Sequence, residues 1–375
     1  MSDITWSVAK KDLELAVSIV LNVPPRGGIT CSEFIRLSAH KGNNAVMALS
    51  SDMGACSYVW GKIPFPSKHS IYIDRRLFEP FVSCGKDLKA AEYQFKVKDG
   101  VLTVKHGSRV AVYAKNKGGS GYAEAPKYKN SRPVPLYDSW TKLLACAVSC
   151  ATSDPVTPQL NCVYVYPHSS SIVSLYASNT KIVFHGKTTA KKVPSGPIAF
   201  PLLLAEHIEG GDCTGLEWDD KSVTVLSERG KLWQGVKAEA RKNFPRKEID
   251  KHIARAVKNK PSFTVDCDSL SSAADRLSGY LTAVSREDLV LQFVLKAGEQ
   301  KMRLTAGTGE TMFTEYVTLS KPSKHDLEIR WPLAEVLPVL IFSKDQGEAS
   351  IIVADTGITL YSTRDVQLVI AKELK

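Results

Sequence analysis

Short stretches of alternating apolar and polar residues recur along this chain of 375 residues, and a helical pattern follows each of them. Alternation indicates a strand with one buried face, whereas apolar residues at i, i+3, i+4 and i+7 indicate an amphipathic helix. The pattern opens six times, at Ile4, Ser70, Pro133, Pro197, Ser262 and Asp326. From the second opening onward the steps are 63, 64, 65 and 64 residues, which predicts an internal repeat.

The helical part of each repeat has a single apolar face. Trp140, Leu143, Leu144 and Ala147 show the spacing, and the segment 270–277 repeats it. Alternating strands complete each repeat, so the chain is predicted to place helices on antiparallel sheet.

Polar residues mark the ends of these elements. Asp74, Asp138 and Asp268 stand where an N-cap accepts hydrogen bonds from free backbone N–H groups. Asp99-Gly100 is typical of a two-residue hairpin turn, and Asp219-Asp220 is interpreted as a second turn rather than as a catalytic carboxylate pair.

Two basic segments divide the repeats into pairs. Segment 115–132 carries a net charge of +4 and segment 241–260 one of +6, which together equal the +10 of the whole chain. Both are interpreted as connections without a regular period. The predicted fold is therefore α+β with three pseudo-repeated domains, 1–130, 131–260 and 261–375, each with two helices on antiparallel sheet.

Composition narrows the function classes. With 43% apolar and 23% charged residues the chain is not disordered, and no apolar run approaches the ~18 residues of a membrane span. The start of the sequence lacks the pattern of a secretory signal, so we expect a cytoplasmic protein without a membrane partner. The eight cysteines form no CxxC pair and are predicted to be mostly buried free thiols.

No catalytic or metal-binding motif is found in the sequence. Cys162 with His168, and His207 with Cys213, each lack two further ligands at zinc spacing, so no metal or cofactor is predicted. The protein is predicted not to be an enzyme.

Four segments, in this order, resemble the bacterial DNA sliding clamp, the β subunit of the DNA polymerase III holoenzyme. They are Leu160-Asn161-Cys162 with its following strand, Tyr176–Ile182, Asn243-Phe244-Pro245 and the C-terminal strand Gln367–Leu374. The resemblance covers essentially the whole chain.

The resemblance implies a homodimeric ring of two head-to-tail chains, with helices around a channel that encloses double-stranded DNA. It implies a non-enzymatic processivity factor that tethers DNA polymerase and other replication or repair proteins near the nucleoid. DNA polymerase and the clamp loader would bind through short apolar peptide motifs. Because encirclement holds the DNA, base contacts are not needed.

The resemblance implies cations on the helices that contact phosphates loosely. The candidates are Lys10, Lys11, Arg26, Arg75, Arg76, Lys142 and Arg276. The helices of the fourth and sixth repeats carry few cations, so the basic segments 115–132 and 241–260 are expected to contribute to DNA contact. The alternative interpretation is that all these charges are merely solvated.

The resemblance also implies a partner-peptide cleft between the second and third domains. The candidates are Leu160, Ser178, Thr180, Lys181, Ile182, Val183, Pro245, Leu368 and Ile370. Asn179 and Thr180 replace the Asp-Gly of the family, so the preferred peptide motif stays open. The alternative is that the apolar members are ordinary strand core.

A dimer interface is expected where the last strand of the first domain meets the third domain. The candidates are Val110, Val112, Leu277 and Leu281. Two rival functions remain: a monomeric basic repeat protein that binds nucleic acid by surface charge, and a nucleic-acid enzyme with an unrecognised site. Binding by surface charge weakens steeply with salt, whereas a closed ring on circular DNA does not.

Overall fold

The structure is a computed structural model. It describes residues 3–21, 33–40, 44–50, 55–59, 65, 70–84, 89–113, 134–135, 138–152, 157–190, 193–209, 213–219, 221–227, 230–236, 240, 244–280, 290–308, 311–354 and 358–371. Arg26, Leu281 and the basic segment 115–132 lie outside the described residues.

Among the described residues, each of the six predicted repeats contains an opening strand, a helix and three further strands in this order, as the sequence predicts. The opening strands are β1 (Ile4–Ala9), β5 (Ile71–Asp74), β9 (Val134–Pro135), β13 (Ile198–Pro201), β17 (Phe263–Asp266) and β21 (Leu327–Pro332). The helices of the repeats are α1 (Lys10–Leu21), α2 (Arg75–Ser83), α3 (Asp138–Ser149), α4 (Leu202–Glu209), α6 (Cys267–Tyr280) and α7 (Leu333–Phe342).

The remaining strands follow in groups of three. They are β2 (Phe34–His40), β3 (Asn44–Ser50) and β4 (Ala55–Val59); β6 (Glu92–Lys98), β7 (Val101–His106) and β8 (Arg109–Tyr113); β10 (Cys162–Pro167), β11 (Ile172–Ser178) and β12 (Ile182–Thr189). The later groups are β14 (Cys213–Trp218), β15 (Ser222–Ser227) and β16 (Gly230–Gly235); β18 (Val290–Leu295), β19 (Lys301–Thr308) and β20 (Thr311–Lys321); β22 (Glu348–Val353), β23 (Ile358–Ser362) and β24 (Val366–Ala371).

The repeats interlock in pairs, because the opening strand of each repeat pairs with the first strand after the helix of its neighbour. These antiparallel pairs are β1 with β6, β5 with β2, β9 with β14, β13 with β10, β17 with β22, and β21 with β18. In five of the six repeats the described partner of the opening strand lies only in the neighbouring repeat, whereas β17 also pairs with β20 of its own repeat. Pairing with a neighbouring repeat therefore satisfies backbone groups of every opening strand.

The chain forms two compact units. The first comprises Met1–Pro135 and Gly210–Val236 and contains two sheets, ordered β1-β6-β7-β8 and β5-β2-β3-β4-β16-β15-β14-β9. The second comprises Leu136–Glu209 and Lys237–Lys375 and contains one sheet, ordered β13-β10-β11-β12-β24-β23-β22-β17-β20-β19-β18-β21.

The predicted apolar face of α3 is buried. Trp140, Leu143, Leu144 and Ala147 are each at most 1% exposed, and the helix packs on β10, β11 and β12. A Cβ atom at Gly186 of β12 would lie 2.6 Å from Leu143 Cδ1, so the glycine permits this close approach of helix and strand.

The predicted caps and turns are confirmed in part. The Asp74 carboxylate accepts a hydrogen bond from the backbone N–H of Arg76 and caps α2. Asp99 and Gly100 have φ of 49° and 82°, as a two-residue hairpin turn requires. The prediction for Asp268 is wrong, because this residue lies inside α6 and Asp266 accepts from the Ser269 N–H instead.

Segment 241–260 is not the irregular connection that the sequence predicts. It contains a seventh described helix, α5 (Arg246–Val257), whose residues Ile249 and Ile253 are buried. Two apolar residues at i and i+4 are enough to seat this helix, and the surrounding charges hide their period in the sequence.

Most of the described cysteines are buried free thiols, as the sequence predicts. Cys146, Cys150, Cys162 and Cys267 are buried free thiols, whereas Cys84 is exposed. Within the described ranges, no cluster of side chains could hold a metal ion, and no helix is long and apolar enough to cross a bilayer.

Candidate functional site

The candidate site lies where β12 pairs with β24 in the sheet of the second unit. The pairing is antiparallel and joins Ile182–Gly186 to Val366–Ile370. Side chains alternate between the two faces of a strand, so each strand presents one set of residues to α3 and the other set to the opposite face. Leu143 of α3 contacts Gly186 on the helix face.

On the opposite face, an apolar row crosses this pairing. Ser178, Val183, Val369, Leu360 and Ile352 lie directly opposite one another on successive strands. Leu360 and Ile352 are 1% and 5% exposed, whereas Val183 and Val369 are half-buried. The two valines therefore form an accessible apolar floor.

A second row, of aromatic and polar residues, runs beside the first. Tyr164, Tyr176, His185 and Gln367 are opposite one another in register. The His185 ring stacks on Tyr176 with centroids 4.6 Å apart, and its Nδ1 lies 2.9 Å from Gln367 Oε1. Burial lowers the pKa of His185, which favours the neutral ring.

Helix α5 is fastened over this second row. The Tyr176 hydroxyl donates to Asp250 Oδ1 at 2.8 Å, and the Arg246 guanidinium lies 4.3 Å above the Tyr166 ring. Arg246 also pairs with Asp250 at 3.4 Å. From there the helix packs on β23, so α5 lies on the sheet face opposite α3.

The structure divides the predicted cleft residues between the two faces. Ser178 and Val183 lie in the apolar row, Thr180, Lys181 and Pro245 are exposed, and Leu160 is half-buried in a 3₁₀ turn at Pro158–Leu160. Ile182, Leu368 and Ile370 are at most 2% exposed and belong to the core on the helix face.

Ile182, Leu368 and Ile370 are therefore inaccessible to a peptide in the cleft, which corrects their prediction as cleft residues. In a strand of period two the accessible neighbours of Leu368 and Ile370 are Val369, which is half-buried, and Ala371, which is exposed. The sequence showed the strand, but apolar residues on both of its faces concealed which face was open.

The turn between β11 and β12 forms the rim of the candidate cleft. Asn179 Oδ1 accepts hydrogen bonds from the N–H groups of Lys181 and Ile182, at 3.2 and 2.9 Å. Thr180 has φ of 74°, a left-handed conformation that a β-branched residue adopts only with strain.

We expect Thr180→Gly to stabilise the protein by about 0.5–1 kcal/mol. Relief of the left-handed strain, roughly 1–3 kcal/mol, outweighs the greater freedom of glycine in the unfolded chain. Urea unfolding measures the difference, with Thr189→Gly in the regular part of β12 as the control that should lose stability. A loss at both positions would show that the turn is unstrained.

We expect stability to depend on the protonation of His185. Since burial lowers its pKa in the folded state, the unfolded chain binds more protons below about pH 6.5, and stability falls as the pH drops through that value. Lys187 and His168 add to the lowering, whereas Asp250 and the bond to Gln367 oppose it. His185→Phe keeps the stack on Tyr176 without titrating.

Denaturant unfolding at a series of pH values from 5 to 8 checks this expectation. The wild type should lose more stability on acidification than the His185→Phe variant. Parallel curves for the two proteins would contradict it.

The predicted DNA-contacting cations differ in their surroundings. Lys11 and Lys142 are exposed and Lys10 is half-buried. Arg75 is 7% exposed and lies 3.6 Å from Glu79, which leaves it little access to a phosphate. Arg76 and Arg276 are exposed but form bidentate pairs with Asp74 and Glu315, respectively.

Two strand edges carry exposed apolar side chains that matter for the predicted interface. Val110 and Val112 of β8 are 57% and 63% exposed, and Met312 and Tyr316 of β20 are 54% and 64% exposed. Within the described residues, β8 pairs only with β7, and β20 is unpaired on one side from Met312 to Val317. Leu277 lies in α6, is fully buried in the single chain and offers no contact to a second chain.

Comparison with known structures gives the class of this fold, although no protein-family model and no curated protein matches the sequence. The fold is that of the bacterial DNA sliding clamps, over essentially the whole chain. The Bacillus subtilis clamp has a TM-score of 0.74 at 15% identity, with 100% of both chains covered.

Two further solved structures agree. The β subunit of DNA polymerase III from Thermotoga maritima has a TM-score of 0.71 at 13% identity and covers 100% of both chains. The Helicobacter pylori β clamp, solved with a DNA ligase peptide bound, has a TM-score of 0.73 at 12% identity, covering 98% of this chain and 99% of that one.

Proposed function

We propose that this protein is a DNA sliding clamp, a non-enzymatic processivity factor that closes around double-stranded DNA as a homodimer. The observation that carries the proposal is the pairing of the last strands of the repeats. The last strand of the first repeat, β4, pairs with that of the fourth, β16, and the last strand of the third, β12, pairs with that of the sixth, β24.

In both pairings the last strands belong to repeats that are three apart in the chain. The last strands of the second and fifth repeats, β8 and β20, have no such pairing with one another among the described residues. Three repeats after the fifth comes the second repeat of a following chain, so β20 would pair with β8 of another copy. Such a head-to-tail contact forms a ring when it closes. The family resemblance supports closure with two chains.

The edges fit one another in length and chemistry. Each of the two pairings within the chain joins five residues per strand, and β8 has five residues. Val110 and Val112 lie on the face of β8 opposite the buried Tyr113, and Met312 and Tyr316 lie on the face of β20 opposite the buried Val317. Pairing of β8 with β20 of a second chain would cover these four apolar side chains.

The helices supply a parallel argument. Across the β12–β24 pairing, α3 packs on α7, where the Ser149 hydroxyl donates to the Glu335 carbonyl at 2.9 Å. Leu77 occupies in α2 the place of Glu335 in α7, third in the helix and three residues before a proline, and it is 59% exposed. Because α3 and α7 belong to repeats that are three apart, the equivalent contact between two chains would place α6 of the partner chain over Leu77.

We further propose three domains with boundaries near 130 and 260, supported by the interlocked pairs of repeats. The floor formed by Val183 and Val369 would bind apolar peptide motifs of DNA polymerase and the clamp loader, as the ligase peptide bound by the Helicobacter pylori clamp suggests by analogy. Among the described residues of the six repeat helices, few cations are both exposed and without an ion pair, so retention on DNA would rest on encirclement. A cytoplasmic, nucleoid-associated location follows from this role.

Sedimentation equilibrium tests the proposal. We expect a mass of twice the 41.1 kDa of one chain at micromolar concentration. A strict monomer at that concentration would overturn the ring and favour a basic repeat protein that binds by surface charge.

A further inference from the structure

Helix α5 carries a stripe of exposed cations on the side away from the sheet. Lys247, Lys251, Arg255 and Lys258 follow one another at i, i+4, i+8 and i+11, which keeps them on one side of a helix and its C-cap. We call these four residues the cationic stripe. The buried Ile249 and Ile253 hold the opposite side of the helix against the sheet.

The stripe keeps an excess of positive charge within the described part of the chain, with Glu248 as the one exposed acidic residue of α5. None of its four cations has an ion pair there, and the neighbouring Asp250 is already bound by Arg246 and Tyr176. Like charges at i and i+4 repel one another and weaken a helix. An array that opposes its own helix in the free protein is suited to an anionic partner.

In the proposed ring, the stripe would lie away from the DNA. The described part of segment 241–260 lies on the sheet face opposite α3, so its cations do not add to those of α3. That position argues against the expectation that the segment supplements the helices at the DNA.

The stripe instead continues the candidate cleft. Pro245 immediately precedes α5, and its neighbour Phe244 stacks on Tyr164 of the second row with centroids 4.0 Å apart. The first turn of the helix lies over Tyr166 and Tyr176. Tyr176 is two residues from Ser178 in the apolar row, on the same face of β11. A polypeptide seated on Val183 and Val369 could therefore run on along the stripe.

We propose that the cationic stripe binds an acidic, extended segment of the partner polypeptide, next to the apolar motif that occupies the cleft. This inference rests on the proposed function of the cleft. Four helical residues rise about 6 Å, and alternate residues of an extended chain lie about 6.6 Å apart on one side. An acidic residue at every second position of a seven-residue segment matches the four cations.

Two fluorescent peptides test this proposal by anisotropy on the full-length protein. Both begin with Ser-Leu-Ser-Leu-Phe, which supplies apolar side chains for the floor formed by Val183 and Val369. One continues with Glu-Ser-Glu-Ser-Glu-Ser-Glu and the other has Gln at each Glu. We expect the Glu peptide to bind about tenfold more tightly at low salt, and the difference to shrink as salt screens the charges.

A triple variant, Lys247→Glu with Lys251→Glu and Arg255→Glu, should abolish the preference. The matched control, Lys98→Glu with Lys301→Glu and Lys324→Glu, changes the net charge equally at exposed sites elsewhere and should keep it. Circular dichroism establishes that both variants fold.

Equal binding of the two peptides, or an equal loss in the control variant, would overturn the proposal. So would a single-stranded oligothymidine that binds through the stripe when the Glu peptide shows no preference. If the protein is a dimer but binds both peptides equally, only the inference about the cationic stripe is removed. If the protein is a monomer but prefers the Glu peptide, the proposed ring is removed and the inference about the stripe is retained.

Discussion

Glutamate at both Val110 and Val112 is expected to turn the proposed dimer into a monomer. The two valines are more than half exposed in the single chain and would be covered when β8 pairs with β20 of a second copy. Their lost burial, together with the cost of desolvating two carboxylates, amounts to about 4 kcal/mol or more, roughly a thousandfold in the dissociation constant.

The design of this experiment separates the seam from a general effect of charge. Val101→Glu places a carboxylate on β7, at a residue that is 37% exposed and does not lie on the free edge, and it should leave the dimer intact. Sedimentation velocity measures the oligomeric state of the wild type, the double variant and the Val101→Glu control. A double variant that stays dimeric would show that the chains meet elsewhere.

Substitutions at the adjacent residues Leu368 and Val369 are expected to have opposite consequences. Leu368 is fully buried on the helix face, so Leu368→Ala should cost about 2–5 kcal/mol of stability through the cavity that it leaves. Val369 is half-buried on the apolar floor, so Val369→Glu should change stability far less but weaken binding of an apolar partner peptide at least tenfold.

Urea unfolding and peptide anisotropy, measured on both variants, distinguish the two roles. Peptide affinity of the folded Leu368→Ala protein should remain near that of the wild type. If Leu368→Ala weakened the peptide while Val369→Glu did not, the assignment of the strand faces would be reversed.

Much of the fold can be predicted from the sequence, because short-range patterns determine it. The spacing of Trp140, Leu143, Leu144 and Ala147 specifies a helix and its buried side, and Asp99-Gly100 specifies a hairpin turn. Since each repeat keeps these local patterns, six openings lead to six copies of one strand–helix–strand unit.

The site was less predictable, because it depends on which face of a strand is covered. Leu368, Val369 and Ile370 are all apolar, so alternation does not reveal the open side, and only the position of α3 does. The free edges of β8 and β20 likewise emerge from the pairing of the other strands. Met312 and Tyr316 carry no sequence signal beyond being apolar residues in a strand.

The basic charge illustrates the same limit. The count of charges places much of it in segment 241–260, but two isoleucines give too little apolar periodicity to predict that this segment forms α5. With α5 in place, these cations lie on the sheet face opposite α3, which changes the partner that they fit.

Retention on circular DNA tests the ring most directly. The protein is diluted to monomers and concentrated again with nicked circular plasmid, and the complex is then passed through a sizing column at ~0.5 M salt, where electrostatic attraction is strongly screened. The account predicts that the protein stays with the circle and is released when a restriction enzyme linearises it. Loss from both forms at the same salt concentration would contradict encirclement.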